Sequence, residues 1–146
     1  MPSPEFKDIA NKDPFIAGVE LPGILTATGA NYGAFFTARF PCEVMDFSAV
    51  WETASLSGTL QLEKLISGVA PGSGILLLTT AISTAGDANV PFFGALVIGS
   101  ARQLARGDRL AIVDGGTLTN GAGLHADAML KPLGKGHYAA NTGQLL

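Results

Sequence analysis

Charged residues are scarce in this 146-residue sequence: they make up 14% of the chain, whereas about 25% is usual in globular domains. No cluster of basic residues occurs, and the formal net charge is -3. Nucleic acid is therefore excluded as the main partner, because its recognition requires many phosphate contacts. Disorder is excluded as well, since 47% of the residues are hydrophobic and disordered chains are poor in such residues.

Cysteine occurs once, at Cys42, which excludes an internal disulfide framework and a metal site with several cysteine ligands. We expect Cys42 to be buried in a strand as a small apolar side chain. Long apolar runs are also absent, since the longest, such as residues 75–78, have only four residues and are far too short to cross a bilayer. The N-terminus lacks the apolar segment of a signal peptide, so we expect synthesis in a cytoplasm and no membrane partner.

Glycine and proline are abundant, with 19 and 8 residues respectively, and this density breaks helices. A helical bundle is therefore excluded. The chain contains instead about eight short segments of strand character separated by turn residues: 24–27, 34–40, 43–53, 59–65, 75–80, 91–98, 109–113 and 123–130. This spacing predicts an all-β fold, an antiparallel β-sandwich or barrel, whose domain spans residues 23–133.

Two of these segments alternate clearly between apolar and polar residues, the pattern of a strand with one buried face. In residues 43–53 the predicted buried face consists of Met45, Phe47, Ala49 and Trp51. In residues 123–130 it consists of Leu124, Ala126, Ala128 and Leu130. Packing in the core is favoured for Trp51, and an anchor at a protein interface is the alternative.

A turn at residues 57–58 connects residues 43–53 with residues 59–65, so we expect these two strands to pair as a hairpin. Within the second strand, Leu62 is predicted to face the core and Glu63 to lie on a solvated outer face. The only helical segment that we predict is short and lies at about residues 100–106.

The two ends of the chain lack a sustained period and are predicted to lie outside the domain, as an extended arm at residues 1–22 and a tail at residues 134–146. An arm with spaced apolar anchors can lie along a neighbouring protein. The candidate interface residues are Phe6, Phe15, Ile16, Val19, Leu21 and Tyr138. A flexible tail, or a first strand of the domain itself, remains the alternative for the N-terminal segment.

His125 and Asp127 form the best candidate for a metal site, because residues two apart on a strand share a face. A metal site of this kind needs a third convergent ligand, and His137 lies too close in sequence to come from another strand. We therefore favour a solvated polar face for this pair. No phosphate-binding loop and no Gly-x-Ser-x-Gly motif occur, so we expect no catalytic residue, no metal and no cofactor.

Several short motifs resemble those of small virion proteins of tailed bacteriophages, over roughly residues 30–132. They are ANYGAFF at 30–36, PCEV at 41–44, LQLEKL at 60–65, APGSG at 70–74, LLTT at 77–80 and LARGDRL at 104–110. The Leu-x-x-Gly-Asp-x-Leu pattern in the last motif also resembles trimeric jelly rolls of the tumour-necrosis-factor and complement type.

The resemblance implies a capsid decoration protein, also called a cement protein. Such proteins resemble compact jelly-roll domains that bind as homotrimers to the major capsid protein on the outer surface of an icosahedral head. The resemblance carries no catalytic residues. The alternative function is a head-fibre module, or a receptor- or carbohydrate-binding β-sandwich, in which Tyr32, Trp51 or Tyr138 stacks on a ligand.

Overall fold

The computed structural model describes residues 13–25, 33–116 and 118–133. In these residues it has ten strands and one 3-10 helix, Ser100–Arg102, and no helix of a length and apolar character that would span a membrane. The strands are β1 Phe15–Ile24, β2 Ala34–Thr37, β3 Cys42–Thr53, β4 Thr59–Leu65, β5 Ile75–Leu76, β6 Ile82–Ser83, β7 Phe92–Phe93, β8 Gln103–Leu104, β9 Arg109–Gly115 and β10 Ala122–Pro132.

The strands form two five-stranded antiparallel sheets, which we call sheet A and sheet B. Sheet A has the order β1-β10-β3-β7, with β8 also on β3, and sheet B has the order β2-β9-β4-β5, with β6 also on β4. Strands from the two ends of the chain pair in nested order, β1 with β10 and β2 with β9, which is the connectivity of a jelly roll. The predicted antiparallel β-sandwich is confirmed. The strand predicted at residues 24–27 shares only Ile24 with β1. The fold has more strands than expected because β6 and β8 are two-residue pairings that no periodic pattern marks.

The predicted hairpin of residues 43–53 and 59–65 is wrong, because β3 belongs to sheet A and β4 to sheet B. The turn between them crosses from one sheet to the other, so that both strands cover the same core from opposite sides. Ser55 holds this crossing, since its Oγ accepts from the Thr119 amide at 2.8 Å and donates to the carbonyl oxygen of Ser57 at 2.5 Å.

A β-bulge in β3 changes which of its residues face the core. Asp46 lies opposite Met129 and Val44 lies opposite Leu130, so Met45 has no partner on β10. Val44 is buried and Met45 is 40% exposed, which corrects the prediction that Met45 shares the buried face. Beyond the bulge the predicted alternation is confirmed, with Phe47, Ala49 and Trp51 all buried.

Trp51 is a core residue, as the favoured prediction had it. Its ring is 1% exposed and stacks on Phe92, with ring centroids 5.0 Å apart and an interplanar angle of 6°. Its indole N–H donates to the carbonyl oxygen of Gly86 at 3.0 Å, which satisfies the one polar group of the buried ring. The predicted alternation of residues 123–130 is confirmed in β10.

Residues 15–24 form the first strand of sheet A, one of the alternatives that the sequence left open for the N-terminal segment. The register with β10 runs from Phe15 opposite Leu130 to Ile24 opposite Ala122. The expected boundary between residues 22 and 23 therefore falls inside a strand. The segment joins the sheet because every second residue from Phe15 onward packs on the core. Residues 1–12 and 134–146 lie outside the described residues.

Candidate interaction surface

The structure divides the candidate interface residues between two faces of β1. Phe15, Val19 and Leu21 point inward and are half-buried against the core. Phe15 also contacts the rings of two aromatic residues in and beside sheet B, with centroids 5.9 Å from Phe36 and 5.8 Å from Phe40. Ile16 lies on the outer face and is 60% exposed. The two remaining candidates, Phe6 and Tyr138, lie outside the described residues.

The outer face of sheet A is the surface to which Ile16 belongs. Paired residues share a face of a sheet, so the register places three cross-strand rows there. These rows are Ile16–Met129–Asp46, Gly18–Asp127–Ser48–Phe93 and Glu20–His125–Val50. Phe93 is 69% exposed at one side of this face, and Ile16 lies near the opposite edge. On the outer face of sheet A, Phe93 and Ile16 therefore lie on opposite sides of a polar centre, and each offers an apolar side chain to a partner.

A chain of hydrogen-bonding side chains forms this polar centre. The Nδ1 of His125 lies 3.4 Å from Oε1 of Glu20, and its Nε2 lies 3.1 Å from Oδ2 of Asp127. Ser48 donates its hydroxyl to the other oxygen of Asp127 at 3.0 Å. The sequence places His125 and Asp127 on one face, as observed. It did not reveal Glu20 and Ser48, because they come from neighbouring strands whose register depends on the whole sheet.

The geometry of this centre is unsuited to a metal ion. Glu20 and Asp127 approach opposite nitrogens of the His125 ring, so the three side chains do not converge on one point. Within residues 13–25, 33–116 and 118–133, no group of three or more His, Cys, Asp or Glu side chains could hold a metal. The arrangement instead holds the three strands in register and leaves polar atoms at the surface.

A loop, residues 66–74, covers part of the outer face of sheet B around Glu63. Glu63 is 1% exposed beneath this loop, and its two carboxylate oxygens accept the amide N–H groups of Gly72 at 2.7 Å and Gly74 at 3.0 Å. Arg109 donates to the Val69 carbonyl oxygen at 2.6 Å. The prediction that Glu63 is solvated is wrong, because the loop folds over it. No local pattern in the sequence signals this contact, although the glycines of the loop permit it.

The single cysteine is buried in β3, as predicted. Burial, with a smaller contribution from the charge of Asp108, raises the pKa of Cys42 from 9.0 to about 12. A thiol with this pKa is protonated at neutral pH and is a poor nucleophile. Cys42 therefore serves packing, with no reactive thiolate available for chemistry.

A groove of about 310 Å³ lies beside β7, at the edge of the outer face of sheet A. Its walls include both residues of β7, Phe92 and Phe93, together with Thr80, Ser83 and Gly86. Trp51 is buried behind Phe92 and is closed to a ligand. The other two aromatic residues expected to stack on a ligand, Tyr32 and Tyr138, lie outside the described residues.

No protein-family model matches this chain, and no curated protein matches it. Among solved structures, the chain is similar to a chain in the structure of infectious bursal disease virus, Gx strain, with a TM-score of 0.34 and 15% sequence identity. The match covers 86% of this chain and 35% of the viral chain, so this chain spans about a third of the length of that one.

Proposed function

We propose that this protein is a structural virion subunit that binds the major capsid protein on the outer surface of an icosahedral phage head. It binds as a homotrimer and stabilises the head. The outer face of sheet A carries the proposal, because Phe93 and Ile16 are exposed there around a satisfied polar centre. Aromatic and aliphatic anchors beside satisfied polar groups are typical of protein interfaces.

The rest of the surface supports the same function. Seven further large apolar side chains are exposed in the described residues, besides Phe93, Ile16 and Met45: Ile24, Leu56, Ile66, Ile75, Leu76, Val90 and Ile98. Covering such side chains stabilises an assembly by about 25 cal/mol for each Å² of apolar area removed from water. With only 14% charged residues, this surface suits a molecule that is covered by neighbours in its working state.

The jelly-roll connectivity is compatible with this function but does not select it, since the same architecture serves capsid and lectin domains. The major capsid protein is proposed as the partner because short motifs of this sequence resemble those of phage decoration proteins. We propose that residues N-terminal to β1 reach the capsid protein or an adjacent trimer, in the manner of an arm.

Binding to heads that lack the protein tests the surface assignment. We expect Phe93→Ser and Ile16→Ser to weaken head binding, because each removes an anchor from the outer face of sheet A. Ile98→Ser is the comparison variant, because Ile98 is 96% exposed but lies outside the cross-strand rows of that face, so we expect it to weaken head binding less than Phe93→Ser or Ile16→Ser. Equal binding by all three variants would contradict the claim that the outer face of sheet A contacts the head. Light scattering of the purified protein tests the trimer.

A receptor- or carbohydrate-binding module is the second candidate function, and the groove beside β7 favours it. An exposed phenylalanine ring next to Thr80 and Ser83 offers a stacking surface and hydroxyl groups to a sugar. A glycan array tests this function: retention of a glycan that Phe93→Ala abolishes supports it, and an array without binding rejects it.

A further inference from the structure

Strand β1 is the longest open edge of the sandwich. It has ten residues and lies at the end of sheet A, and no strand in the described residues pairs with its outer side. The other terminal strands are short, with four residues in β2 and two in β5 and β7. In an antiparallel sheet, every second residue of an edge strand directs its N–H and C=O groups away from its neighbour, where they can accept another strand.

Devices that protect edges against pairing are missing from most of β1. Such devices are lysines, inward-pointing charges, prolines and bulges. The register with β10 is unbroken from Phe15 to Leu21, and the irregularity falls after Leu21, beside Pro22. The one charged residue of the strand, Glu20, points outward and contacts His125. Residues 15–21 therefore form a regular strand whose outer edge is unpaired in the described residues and whose inward side chains carry no charge.

The inner face of β1 is covered less completely than that of the strand beside it. The inward residues of β10 are fully buried, whereas those of β1 are only partly buried: Phe15, Ala17, Val19 and Leu21. An added strand with apolar residues at every second position would cover the exposed parts of these side chains. The sequence of β1 itself has this alternation.

We propose that β1 pairs with β1 of a second copy of this chain, antiparallel about a twofold axis at Gly18, so that sheet A continues through both molecules. Gly18 is the midpoint of the regular stretch, residues 15–21. This register places Phe15 opposite Leu21 of the partner strand and Ile16 opposite its Glu20. The two Glu20 carboxylates are then not opposed, which avoids the repulsion of like charges across a strand pair.

The contact is narrow, because it consists of seven residues from each strand. It is smaller than the roughly 1,200–2,000 Å² of a stable protein interface, so the pair is weak in dilute solution. It gains strength where many copies are held on one surface, since the second contact is then effectively intramolecular. The pairing requires neither the head nor the homotrimer proposed above, although a surface that holds many copies strengthens it.

Disulfide trapping tests the register. The variant Ile16→Cys and the variant Glu20→Cys are purified separately, then oxidised alone and as an equimolar mixture. The mixture should give covalent heterodimers, because positions 16 and 20 face each other across the axis. Each variant alone should give few dimers, since two copies of one position lie roughly 13 Å apart at 3.3 Å per residue, too far for a disulfide.

Ile98→Cys measures the rate of disulfide formation by random collision, because Ile98 is 96% exposed and lies outside β1. Cys42 is buried, so it does not take part in the oxidation. We expect heterodimers in the mixture to form at least ~10-fold faster than Ile98→Cys dimers, since pairing raises the effective concentration of the thiols. Rates equal to that of Ile98→Cys, or equal for the mixture and the single variants, overturn the proposal. Fluorescence of the single tryptophan confirms that each variant is folded.

Discussion

At the scale of the residue, Glu63 shows how one buried side chain holds a loop over part of sheet B. Both of its oxygens accept amide N–H groups from the loop of residues 66–74, as an ionised carboxylate can. Gly74 must approach so closely that an added Cβ would collide with the carbonyl oxygen of Lys64. The loop therefore depends on an acceptor at position 63 and on a glycine at position 74.

Replacing this acceptor should destabilise the fold. We expect Glu63→Ala to lower the free energy of unfolding by about 2–4 kcal/mol, because two buried amides lose their acceptor, and Glu63→Gln to lower it less. Urea unfolding measures both. The control Glu52→Ala removes an exposed carboxylate from β3 and should change the value by less than about 0.5 kcal/mol. Equal losses for Glu63→Ala and Glu52→Ala would show that the loop does not need the carboxylate.

Cys42 should make stability depend on pH in the alkaline range. Its pKa is 9.0 when unfolded and about 12 when folded, so the unfolded thiol loses its proton first. The stabilisation is complete below pH 9 and is lost as the pH rises from 9 to about 12. Comparison of urea unfolding of the wild type and Cys42→Ala across this range isolates the effect. A constant difference between the two proteins would contradict it.

The sequence predicts burial well where the alternation is regular and poorly where tertiary contacts intervene. Phe47, Ala49 and Trp51 are buried as predicted. Met45 is not, because a bulge shifts the alternation by one residue. Glu63 is buried because a loop distant from the core covers it. Neither the bulge nor the loop contact leaves a pattern in the residues around it.

At the scale of the element, β7 presents two adjacent phenylalanines with opposite roles. Phe92 points inward and stacks on Trp51, whereas Phe93 points outward from the same sheet. We expect Phe92→Ala to lower the free energy of unfolding by about 2–4 kcal/mol, through loss of the stacked pair and of packing. Phe93→Ala should change it by less than about 0.5 kcal/mol, since surface substitutions cost little.

The fluorescence of Trp51, the single tryptophan, reports both unfolding and the loss of the stack. The emission of folded Phe92→Ala should shift to longer wavelength, because water reaches the indole ring. Phe93→Ala should keep the wild-type spectrum. A larger loss of stability in Phe93→Ala than in Phe92→Ala would reverse the assignment of the two faces of β7.

The sequence predicts where several strands lie but not which strands they pair with. Residues 59–65 were predicted as a strand and form β4 with the same bounds. Their predicted partner was β3, yet β4 pairs with β9, which is far away in the chain. A local turn signal favours a hairpin, and it cannot show that β3 pairs with β10 and β4 with β9, two strands from the other end of the chain.

At the scale of the whole molecule, the N-terminal segment separates into β1 and the residues that precede it. Deleting residues 1–12 should leave the unfolding transition of the domain in place, because β1 begins at Phe15. Deleting residues 1–22 should destabilise the domain, because most of β1 is lost with its pairing to β10. Thermal unfolding of the two truncated proteins distinguishes these outcomes.

Head binding by the shorter deletion then tests the arm. If residues 1–12 contact the capsid protein or an adjacent trimer, the folded truncated protein should bind heads more weakly than the full chain. Unchanged binding would show that attachment does not need residues 1–12, and the outer face of sheet A is then the first candidate for the contact.

The most direct test of a structural virion role is to add the purified protein to phage heads that lack it and to measure the temperature at which they release DNA. We predict that the protein binds these heads and raises that temperature, and that it does so in saturable fashion as its sites fill. Heads that neither bind the protein nor gain resistance to heat would contradict the proposed function.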